Sequence, residues 1–474
     1  MKPRKFVLIG AGSSAFTAAL LGGIVRTPQF RGSTVGLVDI DTEILDLTAK
    51  LARRLSEERG AELTVEASPD RREVLPGATY VTVTVAAGGT EAWRHDLEIP
   101  AQYDLIQTVG DTVGPGGLAR GLRHVPILVG LARDMEELCP EAWLFNYTNP
   151  MSLLCRAVTR ETKVKCVGLC IGVELIRRYL AGILGVPLAE TKIWAGGINH
   201  CVWALHFTWR EWDAYPLVEA RLRELAGEEK GALARTAANF PGFTEVAQPG
   251  GSLQPFCYDL YRRVGYYPGP GDTHVSEFFP HLLGRPEDRE KYGLHLFPIE
   301  QRLARRDEFR ERLRAQAEGK EPLDWELFGP RGTGEEAQVL EIVKALEGNT
   351  DAVFHLNVPN RGYITNLPDE VVVEVPALMG AYGCRPVPLG NLPWAVAGVI
   401  AHWCATQELT VDAALTGDRT LARRALLSDL STFNLDLADR MLEELLEAHR
   451  EHLPQFWEEE PRGAAGGITK HDTA

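Results

Sequence analysis

The first chemistry in the sequence lies close to its amino terminus. Gly10, Gly12 and Ala15 stand in the order G-x-G-x-x-A, directly after the apolar run KFVLI and before the small-residue stretch FTAALLGGIV. Strand, glycine turn and helix in that order make an anion cradle. Gly10 permits the tight turn, Gly12 lets backbone N–H groups approach a pyrophosphate, and the helix turns its positive end toward it. Ser13 and Ser14 add hydroxyl donors to the same turn. A second strand expected over residues 33–38 ends at Asp39, where a carboxylate accepts both ribose hydroxyls and repels a 2′-phosphate. NAD is therefore favoured over NADP. The 27 residues from Gly12 to Asp39 exceed the usual ~20, so the loop TPQFRGS must absorb the excess. A purely structural glycine turn is the bland alternative, and the acid at the next strand end argues against it.

These residues require a scaffold that gathers strand ends. Further strands are expected at 80–85, ending in AAGG, and at 142–145, ending in NYTNP, with an amphipathic helix near 126–138 between them. Alternating β and α segments imply a parallel sheet whose ligands collect at the carboxyl ends of the strands. Gly88, Gly89, Asn146 and Asn149 then belong beside cofactor or substrate, although Asn146 and Asn149 also suit a plain turn ahead of Pro150. Arg94 and His95 follow AAGG on an expected loop over the site, where a guanidinium offers a bidentate fork to a carboxylate or phosphate; a solvated loop arginine is the alternative. Asp111 and Thr112 fall in the glycine-rich QTVGDTVGPGG, expected to be a loop that orders around cofactor and substrate.

Composition bounds the rest. At 474 residues the chain exceeds one ordinary core, and two domains are expected. A net charge of -15 argues against nucleic acid and anionic membrane as partners. No apolar run reaches the 18 residues or so of a membrane span, and MKPRKFVLIG reads as a first strand rather than a signal. Eight scattered cysteines without a CxxC suit reduced thiols and a cytoplasmic setting.

Four further motifs occur in order around the dinucleotide fold: QTVGDTVGPGG at 107–117, NYTNPM at 146–151, GINH at 197–200 with Trp203, and VPNRGYITNLPDEVVVEVP at 358–376. Together they resemble the family-4 glycoside hydrolases through nearly the full chain. The stretch GDTHVSEFFP at 271–280 resembles the branch acting on α-linked uronic acid glycosides, the galacturonidases and glucuronidases. The resemblance implies an NAD-dependent glycosidase working by oxidation and elimination, an exception to the two-carboxylate glycosidases. Hydride leaves C3 for NAD, the C2 proton is removed, the glycosidic oxygen departs, water adds and the hydride returns. A divalent metal, usually manganese in this family, serves as Lewis acid.

The resemblance assigns the metal to Cys170 and His200; without it, both would read as ordinary core residues. It places the base in CYDLYRRVGYYP, with Asp259 and Tyr258 foremost and Tyr261 behind. His274 and Glu277 lie three apart on one helical face, suited to sugar hydroxyls or to a helix start. Ile171 departs from the family pattern, because α-specific members commonly carry an acid there and isoleucine holds no proton.

The expected fold class is α/β. A Rossmann-type NAD-binding domain over 1–198, lactate and malate dehydrogenase-like, precedes an α+β substrate and metal domain over 199–462 and a tail at 463–474. The site is expected in the cleft between the two domains. Homodimers or homotetramers are what the family implies. Two alternatives stay open: a dehydrogenase of a sugar or hydroxy acid that releases NADH, and a dinucleotide-binding sensor that lost the chemistry.

Overall fold

The computed structural model describes residues 2–13, 16–328, 335–348, 350–429 and 434–457. Strand β1 (Lys5–Ile9) leads to helix α1 (Thr17–Arg26), β2 (Thr34–Val38), α2 (Thr42–Arg59), β3 (Thr64–Ala67) and β4 (Tyr80–Val83). There follow α3 (Gly89–Ala101), α4 (Gly114–Leu138), β5 (Trp143–Asn146), α5 (Met151–Glu161), β6 (Lys165–Gly168) and α6 (Gly172–Leu184). These six strands form a parallel sheet in the order β6-β5-β4-β1-β2-β3. Val7, Val81, Val83 and Leu144 are fully buried, as expected of a parallel sheet covered by helices on both faces.

The second half continues the same sheet. Strands β7 (Thr191–Ile198), β8 (Cys201–Trp209), the short β9 (Trp212–Asp213) and β10 (Tyr267–Gly269) precede β11 (Ala352–Pro359), β12 (Val372–Gly380) and β13 (Gly383–Pro386). The antiparallel pair β11–β12 inserts between β6 and β7, touching β6 through Asn357 and Gly168 and β7 through Glu374 and Gly197. The valine-rich β12 thus helps cover an edge that would otherwise expose unpaired backbone groups. One sheet consequently runs through the position where a domain boundary was expected at 198/199.

The later helices used below are α7 (Pro255–Val264), α8 (Asp272–Ser276), α9 (Ile299–Ala317), α10 (Trp394–Thr416) and α11 (Leu435–Ala448). Helix α10 packs on α4 and α5, and α11 on α3 and α4, so the carboxyl-terminal helices brace the first half of the chain. Among the described residues no helix is long and apolar enough to cross a membrane. None of the eight cysteines forms a disulfide.

Two expectations need correction. Helix α4 begins at Gly114, twelve residues before Pro126, so GPGG is its first turn and not part of a mobile loop. A Cβ at Gly116 would stand 2.9 Å from the Asp96 carbonyl oxygen, which explains why glycine is required at so close an approach. Arg94 and His95 lie within helix α3, not on a loop. The tail at 463–474 lies outside the described residues.

Candidate active site

The cofactor half forms at the ends of β1 and β2. Gly10 has φ +86°, and a Cβ there would come 2.8 Å from the Thr84 carbonyl oxygen, so only glycine turns the chain here. The Gly12 N–H donates to Asp39 Oδ2 at 2.7 Å, and the Asp41 N–H donates to Asp39 Oδ1 at 3.0 Å. The acid is thereby fixed at the rim of the glycine turn, at the carboxyl end of β2 where a ribose diol would be read. The Ser13 N–H donates to the Gly10 carbonyl. Ser14 lies outside the described residues.

Gly88 starts α3 in the left-handed region, φ +73°, and a Cβ would collide with Ala92 and His452. Asn146 is only 1% exposed, and its amide is spent on Thr148: Oδ1 accepts the Thr148 N–H at 2.9 Å and Nδ2 donates to the Thr148 carbonyl at 3.0 Å. Asn146 therefore shapes the NYTNP turn from within instead of reaching toward a cofactor.

The chemical half gathers where β5, β6 and β7 end. His200 closes the turn between β7 and β8 at φ +64°, an uncommon conformation for a non-glycine residue and one that clusters at functional sites. Thr112 Oγ1 donates to Asp111 Oδ1 at 2.6 Å and stands 2.8 Å from His200 Nδ1. A hydroxyl has one proton; having given it to the carboxylate, Thr112 accepts the Nδ1–H of His200. The lone pair of the imidazole then sits on Nε2. Burial and the neighbouring His274 push the His200 pKa down to about 3, so the ring is neutral. A buried neutral imidazole, oriented by a carboxylate acting through a hydroxyl, is the form of histidine that ligates metals.

Asp111 is held at both oxygens, since Oδ2 accepts from Asn149 Nδ2 at 2.9 Å. Burial works against its ionisation, but the Arg120 charge and the Thr112 hydrogen bond hold its carboxyl below the usual range. His274, on α8, meets His200 edge to face with ring centroids 4.5 Å apart, and burial lowers its pKa. Glu277 Oε1 accepts the Val109 and Gly110 N–H groups at 2.7 and 2.8 Å, which anchors the segment carrying Asp111. Cys170, just beyond β6, is 8% exposed, and its Sγ accepts the Gly172 N–H at 3.3 Å. A Cβ on Gly172 would lie 3.4 Å from that sulfur and 3.5 Å from Pro270, so Cys170 adjoins the turn that leads into α8 and His274.

Several residues singled out from sequence are engaged elsewhere. Asp259 Oδ2 is held by Lys291 Nζ at 2.7 Å and Tyr292 Oη at 2.8 Å, and the Tyr258 hydroxyl donates to Glu228 at 2.9 Å. None of these partners belongs to the His200 cluster. Arg94 is bound by Glu91, Glu98 and Glu300. Its fork is already filled.

The sequence reasoning missed two residues of α4. His124 Nε2 accepts the Ala87 N–H and its Nδ1–H donates to the Asn149 carbonyl, both at 2.9 Å, tying the AAGG turn to the NYTNP turn. Burial pushes its pKa to about 3, as this donor and acceptor pattern requires. Arg120, one turn earlier, lies beside Asp111. Arg120, Arg123 and His124 form a polar stripe at i, i+3 and i+4 of an apolar helix, a signal lost when the helix is begun at Pro126.

Among the described residues no group of three or more His, Cys, Asp or Glu side chains is arranged to hold a metal ion. The pair expected from the resemblance, Cys170 and His200, would offer a thiolate and an imidazole, donors suited to a borderline divalent cation. The neutral, oriented His200 fits that use.

Comparison with known proteins shows the family. Residues 5–186 match the family 4 glycosyl hydrolase model and residues 195–432 the family 4 glycosyl hydrolase C-terminal domain. The chain is 31% identical to an alpha-galactosidase of Bacillus subtilis, over 96% of this chain and 100% of that one. It is 32% identical to an alpha-galacturonidase of Thermoanaerobacterium saccharolyticum, over 94% and 95%. Among solved structures, a 6-phospho-alpha-glucosidase from gut microorganisms, in complex with NAD and Mn2+, superposes with a TM-score of 0.78 at 21% identity, covering 96% of this chain and all of that one. The chain belongs to the family 4 glycosyl hydrolases.

Proposed function

We propose that this glycosidase cleaves α-linked uronic acid glycosides by oxidation and elimination, using NAD and a divalent cation such as manganese. The observation that carries the reading is the Asp111–Thr112–His200 relay, placed at the strand ends that also present the glycine turn and Asp39. NAD supplies a reversible hydride acceptor for C3 and the cation a Lewis acid for the neighbouring oxygens, which together make the C2 proton acidic.

The chain's own residues do the rest. Gly10, Gly12 and Ser13 receive the pyrophosphate, and Asp39 receives the ribose hydroxyls. Cys170 and His200 hold the cation. Asn149, with its Oδ1 buried and without a partner, is available to a sugar hydroxyl. With Asp259 and Tyr258 committed elsewhere, the C2 proton falls to a base inside the cluster, and His274 is the side chain beside His200 that presents an uncharged imidazole. Ile171 supplies no acid to the leaving oxygen, so aryl glycosides, whose leaving groups need none, are the favoured substrates. The uronide preference is supported by the alpha-galacturonidase relative. A cytoplasmic homodimer or homotetramer accords with the absence of disulfides and the family expectation.

The test is release of 4-nitrophenol from α- and β-glycosides and glycuronides, with and without NAD and manganese, while NADH absorbance is followed. Cleavage that requires both additions without net NADH supports the reading. Steady NADH production from free sugars without cleavage overturns it.

A further inference from the structure

Two buried arginines lie one turn apart on α4 and are treated differently. Arg123 has its fork filled: its two terminal nitrogens donate to the two oxygens of Asp96 at 2.8 and 2.6 Å, the bidentate geometry a guanidinium prefers, while its Nε, like that of Arg120, finds no acceptor. Arg120 has no such partner. Its side chain is 11% exposed, its nearest carboxylate oxygen, Asp111 Oδ2, stands 4.0 Å away, and that oxygen already accepts from Asn149. Asp111 Oδ1 is taken by Thr112. Arg120 Nε is buried with no acceptor, and the guanidinium lies over the Trp93 ring, 5.1 Å from its centroid. The Trp93 Nε1–H is itself spent on the Val109 carbonyl at 2.8 Å, so the ring is fixed as a platform.

A buried cation left short of hydrogen-bond acceptors is expensive unless something arrives to match it. Asp111 offsets part of the charge but leaves the fork unfilled. The other carboxyl side chains of this neighbourhood are Asp96, claimed by Arg123, and Glu277, claimed by backbone N–H groups. What Arg120 lacks is a planar or tetrahedral oxyanion, delivered beside Asn149 and His200.

We propose that Arg120 is the receptor for an oxyanion carried at C6 of the sugar, the carboxylate of a uronide or the phosphate of a 6-phosphoglycoside, and so determines that this enzyme takes acidic sugars. The inference rests on the glycosidase reading above and deepens it. Arg94, the arginine that sequence position favours for this task, cannot serve, because three carboxylates already surround it.

The experiment measures kcat/KM for 4-nitrophenyl α-galacturonide, 6-phospho-α-galactoside and α-galactoside with the wild-type enzyme, Arg120→Gln and Arg120→Lys, all supplied with NAD and manganese. In parallel, the thermal shifts given by galacturonate, galactose 6-phosphate and galactose are recorded. The wild type should prefer one acidic substrate over the neutral one. Arg120→Gln should cut that preference by about 10- to 100-fold, mainly through KM, and abolish the thermal shift given by the acidic sugar. Arg120→Lys, which keeps the charge and loses the fork, should fall between. Whichever acidic substrate wins identifies the oxyanion.

Equal losses on acidic and neutral substrates would overturn the proposal and reduce Arg120 to a support for Asp111. So would a wild type indifferent to the acidic group. If no glycoside is cleaved at all, the glycosidase reading fails, while an Arg120-dependent thermal shift from an acidic sugar would still establish the receptor.

Discussion

Replacing Thr112 by valine removes one hydroxyl and almost no volume, and it separates the relay's role in metal binding from its role in stability. The variant leaves His200 Nδ1 and Asp111 Oδ1 without the partner they hold at 2.8 and 2.6 Å. Asp111 keeps its second anchor through Asn149. Each orphaned buried group costs about 1–3 kcal/mol, with Val at the low end because the small cavity stays filled. Unfolding entropy of ~2.1 cal/mol/K per residue, taken over the 474 residues, gives about 1 kcal/mol per degree, so the melting temperature should fall by only a few degrees. Manganese affinity should fall much further in proportion, by about 10- to 100-fold, because the imidazole is no longer held in the tautomer and orientation that expose Nε2. Calorimetric titration with Mn2+ and thermal melts of the metal-free protein make the two measurements. Wild-type manganese affinity in Thr112→Val would refute the relay, and so would a loss of affinity accompanied by collapse of the melt.

Asp39→Asn should weaken NAD at least tenfold and narrow the preference over NADP, measured by fluorescence titration with both cofactors. Arg94→Gln and Asp259→Asn should each keep kcat/KM within about twofold, since their partners lie outside the His200 cluster; a hundredfold loss in either would restore the sequence-based assignment. Stability of the metal-free protein should peak near pH 6.5. Below that, His124 and His200, with folded pKa values pushed to about 3, and His355, pushed to about 4, stay neutral while the unfolded chain takes up protons, so stability falls with acid. Above it, Glu277 and Glu374, raised to about 8 and about 7 by burial, keep protons that the unfolded chain has already lost, so stability falls as pH rises. A melting temperature that climbs steadily from pH 6.5 to 8 would contradict those two assignments.

The parts of this molecule that read well from sequence are those whose chemistry is local. KFVLI, its glycine turn and Asp39 lie within one βαβ unit, so residue type and spacing determine their use, and the structure places Gly12 and Asp39 in direct contact. Cys170 and His200 were singled out only through resemblance, because a lone cysteine and a lone histidine in apolar surroundings carry no local signature. Asp259 and Tyr258 were singled out by resemblance and Arg94 by its place after AAGG; in the structure Asp259 on helix α7 is held by Lys291, and helix α3 aligns Arg94 with Glu91 and Glu98 at i-3 and i+4. The insertion of β11 and β12 between β6 and β7 is a long-range pairing, invisible to periodicity, and it is why two expected domains share one sheet. Asp111 was noticed as a loop residue; its partnership with His200, 89 residues later, exists only in three dimensions.

The central claim is that the glycosidic bond breaks by elimination after the C2 proton has been removed. The most direct measurement is cleavage of the preferred nitrophenyl glycoside in D2O, with the released sugar examined by proton NMR. The account predicts one deuterium at C2, taken from solvent when water adds and the proton is returned. A released sugar with its original hydrogen intact at C2 would mean that the bond is cleaved by direct displacement and would contradict the account.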